Sequence, residues 1–178
     1  MPSTQRIPLI CSDSSRRIAT ALLRGLRSLE LECRTREEAE GVADLVAGLL
    51  PEPDWGRLGL MELLLNAIEH GNLEIGGALK CRLVRDRCLE DEIAARLARE
   101  PYRGRRVQVR VEVAYPAIEI AIRDDGPGFA WRIALAADLD AHDGPSGRGI
   151  ALVSRTCFPS LEYRDPGNIA IVKLSWPR

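Results

Sequence analysis

The sequence predicts an α+β fold, a two-layer sandwich in which helices cover one face of a mixed or antiparallel β-sheet. Two runs of alternating apolar and polar residues, RVQVRVEV at 106–113 and IEIAIRDD at 118–125, flank a Tyr-Pro turn. This pattern predicts an antiparallel hairpin with one buried face. Apolar residues recur with a 3.6-residue period in 35–50 and 54–71, which predicts amphipathic helices. These helices are expected to cover the apolar face of the hairpin.

Further strands are expected before the hairpin. Residues 6–11 read as a short strand, and Ser12 or Asp13 can cap a helix that runs to about Arg27. Residues 28–34 read as a second strand.

The boundaries of the two long helices can also be predicted. The first helix starts with a capping box, in which Thr35 and Glu38 satisfy each other's backbone N–H groups, and it ends at Pro51. Asp54 is expected to cap the second helix, because a short carboxylate accepts from free N–H groups at a helix start. The second helix is expected to end at Gly71, since glycine is common just after helices.

The rest of the chain contains an insertion and a second hairpin. Residues 79–104 are strongly charged and read as one inserted surface helix, which Pro101 ends. Residues 149–157 read as a helix of the core. The strands 161–165 and 169–175, joined by Pro-Gly-Asn, complete the sheet.

Composition indicates an ordinary soluble protein. Of the 178 residues, 46% are hydrophobic and 29% are charged, with a net charge of −1. Nothing in this balance points to nucleic acid or to a membrane surface, and no apolar run is long enough to span a bilayer. The five cysteines are irregularly spaced without a CxxC pair, so neither a zinc site nor a disulfide framework is predicted. We therefore expect a cytoplasmic location.

The stretch ELLLNAIEHGN, at 62–72, places four polar side chains on one side of an otherwise apolar helix. Glu62, Asn66, Glu69 and His70 are spaced i, i+4, i+7 and i+8, so they share a face. One interpretation is a solvated stripe on an amphipathic helix. The other is a row of polar groups that faces a ligand, and the stretch alone leaves both open.

Two glycine-rich segments follow. In DDGPGF, at 124–129, Asp124 ends a strand, and Gly126 and Gly128 allow a ligand to approach the backbone closely, although a plain turn has the same composition. In GPSGRGIALV, at 144–153, glycines lead directly into a helix. Backbone N–H groups at a helix start form an anion site, and a flexible loop is the alternative.

The order of these three segments resembles the GHKL ATPase superfamily. The resemblance covers roughly 29–178, and it leaves 1–28 as an N-terminal strand–helix extension. Glu62 to His70 match the N box, Asp124 to Gly128 match the G1 box, and Gly144 to Gly149 match the G2 box. The sequence has no helical hairpin with a phosphoacceptor histidine and no transducer domain. It is therefore most similar to the anti-sigma-factor serine kinase branch.

The resemblance implies a role for each matched residue, with ATP and Mg²⁺ as cofactors. Asn66 would hold Mg²⁺ through its side-chain oxygen, and Glu62 would be the catalytic base. Asp124 would accept a hydrogen bond from the adenine amino group. The remaining matched residues would line the adenine pocket or cradle the phosphates: Gly126, Gly128, Gly144, Gly147, Arg148 and Gly149.

The resemblance also implies partners. A protein serine kinase of this branch would phosphorylate a small STAS-type antagonist and would bind a sigma factor or a response-regulator partner, in some cases as a homodimer. The alternative is a nucleotide-switched module that sequesters a partner without kinase activity. A glutamate at position 62 favours catalysis, because a pure binding module has no need of a base.

Overall fold

The computed structural model describes residues 27–136 and 148–176. Its strands are β1 (Ser28–Cys33), β2 (Val107–Ala114), β3 (Ala117–Arg123), β4 (Glu162–Arg164) and β5 (Ile169–Ser175). Its α-helices are α1 (Arg36–Ala47), α2 (Pro53–Asn66), α3 (Gly77–Arg85), α4 (Leu89–Ala98), α5 (Trp131–Ala136) and α6 (Arg148–Thr156). A π-helix, Ala67–Asn72, continues α2 directly.

The five strands form one sheet in the order β1-β2-β3-β5-β4, and every neighbouring pair is antiparallel. One face of the sheet is apolar, as the alternation along β2 and β3 predicts, and the helices α1, α2 and α6 supply buried residues to the same core. The predicted α+β sandwich is therefore confirmed. The apolar face consists chiefly of Leu29, Leu31, Val107, Val109, Val111, Ile118, Ile120 and Ile122.

The capping box at the start of α1 is present. Thr35 Oγ1 accepts a hydrogen bond from the Glu38 amide at 3.2 Å, and Glu38 Oε2 accepts from the Thr35 amide at 3.4 Å. Such a cap stabilises a helix by about 1 kcal/mol. The helix ends at Ala47, earlier than the predicted end at Pro51.

The start of α2 differs from the prediction. Pro53 occupies the first turn, Glu52 is the N-cap residue, and no side chain caps the helix. The predicted cap at Asp54 is wrong because the fixed φ of proline suits the first helical position, so the chain is already helical at Asp54. At its other end the helix widens into the π-helix and runs one residue past the predicted end at Gly71.

The insertion consists of two helices, α3 and α4, where the sequence predicted one. The chain turns between them at Arg87, whose φ of 55° is incompatible with a continuous α-helix. The insertion is attached to the rest of the domain by the Arg34 guanidinium, which donates to the Leu97 carbonyl at 2.6 Å. Its apolar positions, among them Leu89 and Ile93, pack against the core and are partly buried.

The predicted strand at 28–34 is confirmed as the edge strand β1, and Ser28, which the domain division placed at the end of the extension, is its first residue. The Val113 amide donates to the Arg27 carbonyl at 2.9 Å and continues this pairing by one residue. The predicted strand at 6–11 and the helix after it lie outside the described residues. Within 27–136 and 148–176, no helix is both long and apolar enough to cross a membrane.

Candidate functional site

A cavity of about 700 Å³ lies between the helix layer and the end of the sheet. This volume is in the range of small-molecule and cofactor sites. Its walls come from α2, the π-helix, α3, α5, the first turn of α6, the strands β3, β4 and β5, and the segment that follows β3. The lining residues include Glu62, Asn66, His70, Lys80, Asp124, Gly128, Phe129, Gly149 and Tyr163.

Glu62 and Asn66 form a pair at one side of this cavity. The Asn66 side-chain amide donates to Glu62 Oε1 at 3.2 Å. Because the nitrogen of Asn66 is engaged with the carboxylate, its oxygen remains the acceptor that a cation can use. Gly149 stands against the same carboxylate so closely that a Cβ there would overlap it. The N box and the end of the G2 box therefore meet at Glu62.

Asp124 lies at the opposite side and is largely buried, with 8% of its surface exposed. Its Oδ1 accepts from the Gly126 amide at 2.8 Å. Burial raises the pKa of Asp124 to about 6, with a smaller contribution from the charge of Asp125. A Cβ at Gly71 would stand 2.7 Å from Asp124 Oδ2, so glycine is required where the π-helix passes this carboxyl group.

Two asparagines that the sequence analysis did not single out hold the backbone around Asp124. Asn168 donates its side-chain amide to the Asp124 carbonyl at 3.0 Å, and its own carbonyl accepts from the Asp124 amide at 3.0 Å. Asn72 Oδ1 accepts from the Asp125 amide at 2.7 Å. The signals that could have revealed them are the asparagine that ends ELLLNAIEHGN and the asparagine of the last turn.

The chain after the G1 box is anchored to the turn between β4 and β5. Gly128 has a φ of 81°, and a Cβ there would overlap the Pro166 carbonyl, so only glycine fits. The Phe129 amide donates to the same carbonyl at 3.1 Å. Asp165 accepts from the Trp131 indole at 2.9 Å and from both ends of the Arg132 guanidinium.

The four polar residues of ELLLNAIEHGN do not form one solvated stripe. Glu69 is only 2% exposed, and its carboxylate pairs with Lys80 at 2.7 Å and with Arg36 at 3.9 Å. Glu62, Asn66 and His70 line the cavity, whereas Glu69, in the π-helix that follows Asn66, is held in this buried ion pair and is not among the lining residues. His70 lies at the cavity, with Nδ1 hydrogen-bonded to the Ile75 carbonyl.

Tyr163 is a further cavity residue that sequence reasoning missed. Its pKa is raised well above the ordinary range, first by burial and then by the negative charges of Asp124 and Glu62. Its ring packs edge-on against Phe129, with a centroid distance of 5.1 Å. The tyrosine is therefore close enough to both acidic residues for their charges to act on its hydroxyl group, and it lines the same cavity.

The structure describes only the end of the predicted phosphate-binding loop. Gly144 and Gly147 lie outside the described residues, and Arg148 is described only as the first residue of α6. Gly149 lines the cavity beside Glu62. The structure thus brings Glu62, Asn66, Asp124, Gly128 and Gly149 to one cavity. Gly126 supports it through its bond to Asp124.

The residues present fit Mg-ATP. A buried carboxyl group suits the amino edge of a base, and small glycine surfaces allow close approach of a ligand. Among the described residues, no group of three or more His, Cys, Asp or Glu could hold a metal ion. A single amide oxygen nevertheless suits Mg²⁺, which commonly keeps several waters and shares its coordination with substrate phosphates.

A family model of the histidine kinase-like ATPase domain matches residues 16–176, which is most of the chain. The chain belongs to the histidine kinase-like ATPase domain family. This histidine kinase-like ATPase domain is therefore an ATP-binding domain of the GHKL type, as the three boxes predicted. The match includes every described element and begins at residue 16, inside the segment that the sequence analysis set apart as an extension. No significant match was found among curated proteins.

Proposed function

We propose that this domain is an ATP-dependent protein serine/threonine kinase of the anti-sigma-factor type. Its substrate would be a small STAS-type antagonist, and a sigma factor or a response-regulator protein would be its second partner. The observation that supports this proposal is the placement of Glu62 at the cavity wall, half-buried and in contact with both Asn66 and Gly149.

The chemistry assigned to each residue follows from its position. Bound Mg-ATP would supply the phosphoryl group, with Asn66 as the protein's oxygen ligand to the metal. Glu62 would accept the proton of the attacking serine hydroxyl, for which its carboxylate must reach the cavity, as it does. Asp124 would hold the base, and the walls around Tyr163 and Phe129 would exclude water from it.

The proposal predicts that Glu62→Gln separates binding from turnover. The amide keeps the size of the side chain and an oxygen that can accept from the Asn66 amide, but it removes the basicity, so nucleotide affinity should change less than about threefold. General-base catalysis contributes about 10²- to 10⁴-fold, and phosphotransfer should fall by a factor in this range. The measurement is the incubation of each protein with radiolabelled ATP and candidate antagonist proteins, followed by detection of phosphoserine.

An exposed glutamate provides the matched control. Glu90, in the first turn of α4, is exposed and distant from the cavity walls, so Glu90→Gln should retain full activity. Full phosphotransfer by the Glu62→Gln variant would remove Glu62 from the role of base. If the wild-type domain binds ATP and a partner but transfers no phosphate to any antagonist, the alternative applies, and the domain is a nucleotide-switched binding module.

A further inference from the structure

Lys80, in the first turn of α3, lines the same cavity as the proposed catalytic pair. Of the described cavity-lining residues it alone is a lysine or arginine, whereas Glu62 and Asp124 are acidic. A triphosphate that enters this space brings several negative charges next to two carboxylates. A cation at the cavity wall would offset this repulsion, and Lys80 is in that place.

The ion pair of Lys80 leaves the ammonium group accessible. Its Nζ lies 2.7 Å from Glu69 Oε2, and the lysine side chain is 34% exposed whereas the glutamate is 2% exposed. Arg36 also approaches the Glu69 carboxylate, at 3.9 Å from Oε1. The buried carboxylate therefore keeps a second cation nearby when the lysine turns towards a ligand.

The position of Glu69 in the π-helix indicates which part of a nucleotide its partner Lys80 would contact. Glu69 follows Asn66 by three residues, about one helical turn, and precedes Gly71 by two, so the paired ammonium group lies between the levels of Asn66 and Gly71. Asp124 is at one end of the cavity wall, against Gly71. Gly149 is at the other end, against Glu62. A nucleotide with its base at Asp124 and its last phosphate near Gly149 would pass Lys80 with its phosphate chain.

We propose that Lys80 binds the phosphate chain of the nucleotide, and that Glu69 positions the lysine for this contact. The inference rests on the proposed nucleotide site but assigns a role to the inserted helix α3, which none of the three boxes contains. Gly76, Gly77 and Ala78, which precede Lys80 on this wall, have little or no side chain, so the lysine is the longest side chain that this turn brings to the cavity.

The test is the affinity of ADP compared with that of adenosine, with ADP titrated in a calorimeter and adenosine measured by competition. Lys80→Gln should weaken ADP binding by about ten- to hundredfold, since a hydrogen bond to a charged group is lost. Adenosine affinity should stay within about twofold, because adenosine has no phosphate. Lys80→Arg keeps the charge and should bind ADP nearly as the wild type does.

Two further variants separate a ligand contact from a structural role. Lys80→Gln leaves the buried Glu69 with Arg36 alone, which could disturb folding, whereas the double variant Lys80→Gln/Glu69→Gln removes both charges of the pair. The double variant should show the same selective loss of ADP affinity. Lys173, the other lysine of the chain, pairs with Glu119 and Glu162 on the sheet, so Lys173→Gln should bind both ligands normally.

Wild-type ADP affinity in the double variant would show that Lys80 only neutralises Glu69, and it would overturn the inference. An equal loss of ADP and adenosine affinity in a folded variant would overturn it as well. Failure of the wild-type domain to bind adenosine, ADP and ATP would contradict the proposed nucleotide site itself, and the role of Lys80 would be rejected with it.

Discussion

Asp124 is an acidic residue that the fold holds in a buried position at the end of β3. Its pKa in the folded domain is about 6, compared with 3.8 for an exposed aspartate, and burial is the main cause. The folded state therefore keeps this proton to higher pH than the unfolded state does. The resulting stabilisation is fully present below about pH 4 and is lost as the pH rises through about 6.

We expect this linkage to be visible when wild type is compared with Asp124→Asn. The free energy of unfolding of the wild type should fall relative to that of the variant between about pH 4 and pH 6, because the amide has no proton to lose. Urea denaturation across about pH 4 to pH 8 measures this difference. The exposed Asp91→Asn serves as the control, with little change relative to wild type. A pH-independent difference for Asp124→Asn would contradict the shifted pKa.

Asn66 provides a second prediction at the residue scale. Its amide nitrogen is bonded to Glu62, so its oxygen is the group available to a metal ion. Asn66→Ala should abolish the Mg²⁺ dependence of ATP binding, measured by calorimetry with Mg²⁺ or with a chelator. Asn66→Asp restores an oxygen ligand and should restore the dependence. An unchanged Mg²⁺ dependence in Asn66→Ala would exclude the ligand role.

The residues that could be predicted from the sequence are those whose type is unusual for their local pattern. A carboxylate and an amide on an apolar helix, and an aspartate before closely spaced glycines, stand out along the chain. Lys80, Tyr163 and Asn168 do not, because a lysine in a charged helix, a tyrosine in a strand and an asparagine in a turn are all ordinary there. Only the folding of the chain brings Lys80 and Tyr163 to the cavity and Asn168 to the backbone of Asp124.

Among the elements, the packing of α2 against the residues directly after α6 depends on Gly59. A Cβ at Gly59 would stand 2.5 Å from the ring of Phe158 and 2.8 Å from the side chain of Cys157. Phe158 is fully buried, so it has little room to move. This close contact sets the distance between the helix that carries Glu62 and the helix that begins beside it.

Gly59→Ala should therefore destabilise the domain by about 1 to 3 kcal/mol, as is usual for overpacking of a tight core. Gly104→Ala is the matched control, because a Cβ there meets nothing within 4 Å, and its effect should be much smaller. Chemical denaturation of the two variants measures both values. Equal stability of the two variants would contradict the close packing of α2 on the residues directly after α6.

The predictability of the elements also has physical reasons. The hairpin of β2 and β3 follows from strict alternation, and α1 follows from its capping box, since both signals are local. The break in the insertion at Arg87 and the π-helix after Asn66 were missed, because the first is a single residue with positive φ and the second changes the helical period. The residue types at these positions do not reveal either the break or the π-helix.

At the scale of the whole molecule, the antiparallel sheet and its helix layer meet at a single buried core and enclose the cavity at one end. Asp124, which would bind the adenine, comes from the sheet layer. Glu62, which would act as the catalytic base, comes from the helix layer. A nucleotide bound in this way would bridge the two layers. Asn168 bonds to the backbone of Asp124 and Asn72 bonds to that of the next residue, so the backbone around Asp124, which would determine where the adenine lies, is held at both residues.

Calorimetric titration of ATP and GTP into wild type and Asp124→Asn shows whether the cavity binds ATP through Asp124. We expect wild type to bind ATP at least about tenfold more tightly than GTP, because a carboxylate accepts from the amino group of adenine but repels the carbonyl oxygen of guanine. Asp124→Asn should remain folded and lose most of this preference. Equal ATP affinity in wild type and the folded variant would contradict the account.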